Sequence, residues 1–86
     1  MDAGQIRKAI SAFTDVLEIS QRRGNPVKVG ITLEMLGIIH EHQGQYAAAL
    51  EKYEQALALM WKYSSPQNVA IVQQHIARVR ARMGGA

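Results

Sequence analysis

The chain contains no cysteine. That absence excludes disulfides, thiolate metal sites and cysteine nucleophiles, and it fits a reducing, cytoplasmic setting. Long apolar runs are missing as well, so no membrane span is expected. Met1, Asp2, Ala3 and Gly4 do not open the charged-then-apolar leader of a secreted protein. No glycine-rich phosphate loop opens a helix, and no Ser, His and Asp arrangement suggests an activated nucleophile. An enzyme is therefore not expected, and no cofactor is called for. Acidic residues stop at Glu54, whereas Lys62, Arg78, Arg80 and Arg82 follow it, so the net charge of +3 resides in the C-terminal third.

The chain has 86 residues, 48% of them hydrophobic and 20% charged, which are the proportions of one globular domain. A domain this short buries only about 60–65% of the surface its unfolded chain exposes, so its stability margin is thin.

Within that length the sequence repeats itself. Displaced by forty positions without a gap, Gly4 falls on Gly44, Gln5 on Gln45, Ala9 on Ala49, Leu17 on Leu57, Pro26 on Pro66, Val29 on Val69, Ile31 on Ile71 and Gly44 on Gly84. Conservative pairs lie between them: Ile10 with Leu50, Phe13 with Tyr53, Ile19 with Leu59, Leu36 with Ile76, Ile39 with Val79. Two units result, 4–43 and 44–83, in a single domain spanning 1–86.

Each unit reads as a helix, a break and a second helix. In the first helix Ile6, Ala9, Ile10, Phe13, Val16 and Leu17 recur at threes and fours, a spacing that no strand gives. Gly24, Asn25 and Pro26 stop it, because proline cannot continue a helix and disfavours the α conformation in the residue before it. A second helix is expected from about Val27 to Gln43, ended by Gly44, and a third from Tyr46 to Tyr63. Ser64, Ser65 and Pro66 supply a cap and a first-turn proline for a fourth, which runs to about Met83.

The central stretch carries Leu33, Leu36-Gly37, His40, Gly44, Tyr46, Ala49, Tyr53 and Ala56. These residues resemble the tetratricopeptide repeat, whose pattern is Trp, two residues, Leu-Gly, two residues, Tyr, and then Ala, three residues, Phe. Leu33 replaces the Trp and His40 the Tyr. Gly37, Ala49 and Ala56 are the small residues that let two helix axes approach. A forty-residue period exceeds the usual 34 and resembles the long-helix variety of kinesin light chains and spindle-orientation scaffolds. The resemblance implies an all-α fold, four antiparallel helices stacked as a short right-handed solenoid, and a function of binding a protein or peptide partner. Counted in the family's helix pairs, the chain holds a half, a whole and a half repeat.

The resemblance also implies that the first-type helices line a concave groove. That assigns Ile31, Glu34, Met35, Ile38, Glu41 and His42 from the second helix, with Ile71, Gln74, His75, Arg78 and Arg82 from the fourth. Arg78 and Arg82 bracket this surface and suit an acidic or mixed-charge peptide. The first helix carries Ala9, Ala12, Phe13, Val16 and Ile19, an apolar width that one neighbour does not cover. Self-association through that face, as a closed homodimer, is the expectation. Gln73, Ala77 and Arg80 make the last helix resemble a polar cap.

Other constellations have simpler explanations. His40 and His42 point about 200° apart on a helix and do not clamp one metal. His40 reads as a part-buried packing residue, and no Glu is followed three residues later by His, so no metal site is expected. Glu51 and Glu54, beside Lys52 and Gln55, read as a solvated face. Trp61 and Tyr63 read as packing against the next helix rather than as a base-stacking platform. Nucleic-acid binding by Arg78, Arg80 and Arg82 is the competing function, and it leaves the forty-residue repeat unexplained.

Overall fold

The computed structural model describes residues 2–84. They form four helices, α1 (Ala3–Arg22), α2 (Pro26–His42), α3 (Tyr46–Tyr63) and α4 (Pro66–Arg82). Each packs on its neighbour in sequence, and α2 with α3 forms the closest pair. The result is the all-α, tetratricopeptide-like solenoid expected from the sequence. Helix α2 starts one residue earlier than the periodicity suggested, with Pro26 inside its first turn.

Local chemistry sets the boundaries. Asp2 accepts from the Gln5 backbone N–H at 2.8 Å, and the Gln5 side chain accepts from the Asp2 N–H at 3.2 Å, a reciprocal capping box. Gly24 and Gly44 end α1 and α2 in the left-handed region, at φ 63° and 73°. That conformation turns the chain so that Asn25 N–H reaches the Ser20 carbonyl and Gln45 N–H the His40 carbonyl. Asn25 and Ser65 then cap α2 and α4 by accepting from Lys28 and Asn68 N–H groups. Pro26 and Pro66 cost no hydrogen bond there, because first-turn N–H groups have no helical partner.

The core lies among α2, α3 and α4. Val29 and Leu33 meet Ala49, Tyr53, Ala56 and Met60, and Val69, Val72, Ile76 and Val79 close the other side, while Leu36 is buried outside this cluster. Helix α1 contributes no buried hydrophobic residue to this cluster, and its only fully buried residue is Ser20. Close approach of α2 and α3 depends on Gly37. A Cβ placed there would stand 2.6 Å from Tyr53 Cε1, well inside contact distance. Gly30 is different, since its nearest neighbours would lie at 3.6 Å, an ordinary contact.

Trp61 corrects one expectation. It is 63% exposed instead of packed on the next helix. Buried positions on α3 run Ala49, Tyr53, Ala56, Met60, and Trp61 follows the last of them by one residue, about 100° off that stripe. Tyr63 is also exposed, beside the α1–α2 turn at Gly24, Asn25 and Pro26, with Lys62 Nζ 5.3 Å from its ring centroid.

Candidate interaction surface

Helices α2 and α4 present one common face. On α4, residues spaced at fours and threes, Ile71, His75, Arg78 and Arg82, line up as one stripe. Opposite them on α2 stand Ile31, Glu34, Ile38 and Glu41, flanked by Met35 and His42. The two ends of this surface differ in chemistry. Toward the N-terminal halves of the helices Ile31 and Ile71 are 44% and 45% exposed, and Met35, midway along α2, is 41% exposed. At the C-terminal ends a cleft of about 750 Å³ opens between Ile38, Glu41, His42, Tyr46, His75, Arg78 and Arg82.

Between the two ends the helices are tied by a polar network over Tyr53. Arg78 donates through Nε to Glu41 Oε2 at 2.5 Å and through Nη2 to Glu41 Oε1 at 2.7 Å, a bidentate pair. Tyr53, whose side chain is fully buried, donates its hydroxyl to the same Oε1 at 2.7 Å. The hydrogen bonds from Arg78, supported by that from Tyr53, outweigh partial burial and hold the Glu41 carboxyl down to about pKa 2. Burial, together with the hydrogen bond to Glu41, pushes the Tyr53 hydroxyl up, and the Glu41 partner raises Arg78.

His75 completes the network. Its ring stacks on Tyr53 with centroids 5.0 Å apart and an interplanar angle of 18°. Arg78 Nη2 lies 2.8 Å from His75 Nδ1, and an arginine can only donate. Nδ1 therefore accepts, which leaves the proton of the neutral ring on Nε2, donated to Glu34 Oε2 at 3.1 Å. Two acids of α2 and two bases of α4 thus clamp the helices together above a buried tyrosine.

Every residue assigned to the groove from the sequence lies on α2 or α4, but their roles separate. Ile31, Met35, His42, Ile71, Gln74, Arg78 and Arg82 are exposed, whereas Glu34, Ile38, Glu41 and His75 are half-buried. Arg78 is committed to Glu41 and His75, so Arg82 is the cleft's less encumbered arginine. Tyr46 was missed, although its position just past the Gly44 turn placed it beside His42. His40 is half-buried as expected, with Nδ1 2.7 Å from Gln45 Oε1.

The three C-terminal arginines do not form one basic stripe. Arg78 and Arg82 face the cleft, while Arg80 points to the other side, 3.9 Å from Glu54. Nothing in this arrangement favours nucleic acid. Among the described residues no three His, Asp or Glu side chains gather as a metal site. No helix there is long and apolar enough to cross a membrane.

The first helix has its apolar face only half covered. Ala9, Phe13 and Val16 are half-buried, and Ala12 and Ile19 are exposed. Phe13 and Val16 line a crevice of about 560 Å³ with Val27, Ile31, Thr32 and Met35 of α2.

No curated protein and no solved structure matches the chain. A family model described as the tetratricopeptide repeat matches residues 1–62, which takes in α1, α2 and nearly all of α3. The helical hairpin closed on Gly37 and Tyr53, the glycine-ended helices and that match agree, and the chain belongs to the tetratricopeptide-repeat family.

Proposed function

We propose that the chain is a non-catalytic interaction scaffold that takes a segment of a partner protein into the face shared by α2 and α4. The observation that carries this reading is the division of that face. Three apolar side chains, Ile31, Ile71 and, midway along α2, Met35, stand exposed, and a cleft flanked by Arg82 and His42 opens at the C-terminal end. A segment with apolar residues followed by an acidic one matches both ends. The Glu34–His75 and Glu41–Arg78 pairs keep the two helices at a fixed separation, so the surface is formed before the partner arrives, which lowers the ordering cost of binding. Its own acids already have partners, Glu41 on Arg78 and Glu34 on His75, leaving the arginine at position 82 for the ligand. A cytoplasmic setting goes with this role, on the strength of the cysteine-free sequence.

The test is capture of partners from a cell extract, identified by mass spectrometry, followed by affinity measurements with the purified partner. Ile31→Asp with Ile71→Asp is expected to weaken binding at least about thirtyfold, and Arg82→Glu about tenfold. Trp61→Ala, on a different helix from the groove, leaves it unchanged. Affinity that survives both groove variants would remove this reading.

A further inference from the structure

We infer that copies of this chain associate head to tail, with α4 of one copy lying in the crevice between α1 and α2 of the next. This surface shares Ile31 and Met35 with the proposed groove but not the cleft beside Arg82, and Phe13 and Ala77, on which its test rests, lie outside the groove.

The occupant is identified by the relation between residues forty apart. Inside the chain, α2 lies against α3 and is tied to α4. It places Gly37 on Tyr53, and Gly30 beside Ala56, Leu59 and Met60. Displaced by forty, α3 becomes α1 and α4 becomes α2, so the equivalent seat is the crevice lined by Phe13, Val16, Ile31 and Met35. Among the described residues nothing fills it. The helix that corresponds to α2 is α4, and the face it would bring is exposed: Ala70, Gln73 and Ala77 stand where α2 has Gly30, Leu33 and Gly37. Beside that face a second cleft, between Glu54, Leu57, Gln73, Ile76, Ala77 and Arg80, waits for a helix in the place that α3 occupies on α2. The bare side of α1 and the bare side of α4 are thus the two halves of one interface.

Side-chain chemistry changes in step on the two halves. Where Tyr53 gives its hydroxyl to Glu41, the corresponding pair is Phe13 and Ala81, so donor and acceptor are lost together. Where His75 and Arg78 meet Glu34 and Glu41, the corresponding residues are Met35 and Ile38 against Gln74 and Ala81. No carboxylate is left without its cation. The fit is looser than the internal one, because Ala77 adds a methyl opposite Phe13, at a position where Gly37 leaves room for none. Gln73 for Leu33 keeps the free face soluble at some cost in burial. Gly84 of one copy and Gly4 of the next both correspond to Gly44, so the first turn of α1 must open as the copies join. These costs make the association reversible.

A head-to-tail contact leaves one unused half at each end and continues to grow, whereas the closed pair expected from the sequence stops at two. Sedimentation velocity from roughly 10 μM to roughly 1 mM separates them, with Phe13→Glu blocking the α1 half and Ala77→Glu blocking the α4 half. Ala77 is exposed in the single copy, so its substitution leaves the fold intact, and circular dichroism checks both variants. Wild type is expected to pass beyond the dimer mass as concentration rises. Each variant alone is expected to remain monomeric, with association weakened at least about tenfold, and an equimolar mixture of the two to form one dimer through the intact halves. A wild-type monomer throughout would overturn the inference. So would Ala77→Glu associating like wild type, the result a twofold pairing of α1 faces requires.

Discussion

Helices α1 and α3 hold corresponding places forty residues apart, and their fates differ. Ala49, Tyr53, Ala56 and Met60 are all fully buried on α3. Their counterparts on α1 are Ala9, Phe13, Val16 and Ser20, of which only Ser20 is buried. Both helices are amphipathic, so the difference lies in their neighbours. Helix α3 is held between α2 and α4, while α1 packs chiefly on α2, with Leu17 reaching the edge of the core. Burial is a property of a helix's surroundings, and the apolar face of α1 is as much an invitation as a piece of core.

The largest expected effect exploits that contrast directly. Tyr53→Ala removes a wholly buried aromatic ring and its hydrogen bond, and is expected to cost about 3–5 kcal/mol, enough to unfold a domain of this size. Phe13→Ala, at the corresponding position on α1, is expected to cost about 1 kcal/mol in the dilute chain, since its ring is only half-buried. Chemical denaturation of both variants measures the difference. Equal losses would mean that α1 is held as firmly as α3.

The glycines of α2 sharpen the same point. Gly37→Ala forces a methyl against Tyr53 and is expected to destabilise by about 1–3 kcal/mol. Gly30→Ala meets only ordinary contacts and is expected to stabilise by about 0.5–1 kcal/mol through helix propensity. Thermal unfolding of the two variants should shift in opposite directions.

An effect of similar size concerns the network that accompanies α3 and is absent at α1. Glu41→Gln is expected to cost about 2 kcal/mol at neutral pH, the scale of hydrogen bonds to a charged group. The Glu41 carboxyl is held from its ordinary 4.5 down to about 2 in the folded chain. A depressed carboxyl stabilises the fold above its unfolded value and loses that contribution as pH falls through its folded one. Wild type should therefore lose stability between about pH 4.5 and pH 2, with that part of the acid dependence gone in Glu41→Gln. Urea titrations of both proteins across that range measure it, and parallel curves would contradict the role given to Glu41.

Much of this was legible in the sequence because it rests on local chemistry. Gly24-Asn25-Pro26, Gly44 and Ser65-Pro66 mark breaks that any helix must obey, and the recurrence at forty placed the elements. The assignment of groove residues came from the family resemblance and stands as a proposal. The pairing of Glu34 with His75 and Glu41 with Arg78 was not read, since it joins residues 41 and 37 apart on helices that meet through side chains. A signal was present: with a forty-residue period, residues near that separation stand side by side on α2 and α4, and both pairs bring an acid to a base. The commitment of Arg78, which changes how the cleft reads, follows from that pairing. Trp61 misled because its apolar character was weighed without its phase against Met60.

Residue-resolved hydrogen exchange on the dilute chain tests most directly the claim that α1 differs from α3 by lacking a second closely packed neighbour. Amides from Ala9 to Val16 are expected to exchange through local openings well below the global stability, while those around Tyr53 exchange only with complete unfolding. Raising the concentration should protect α1 and leave α3 unchanged. Protection of α1 equal to that of α3 at low concentration would contradict the account.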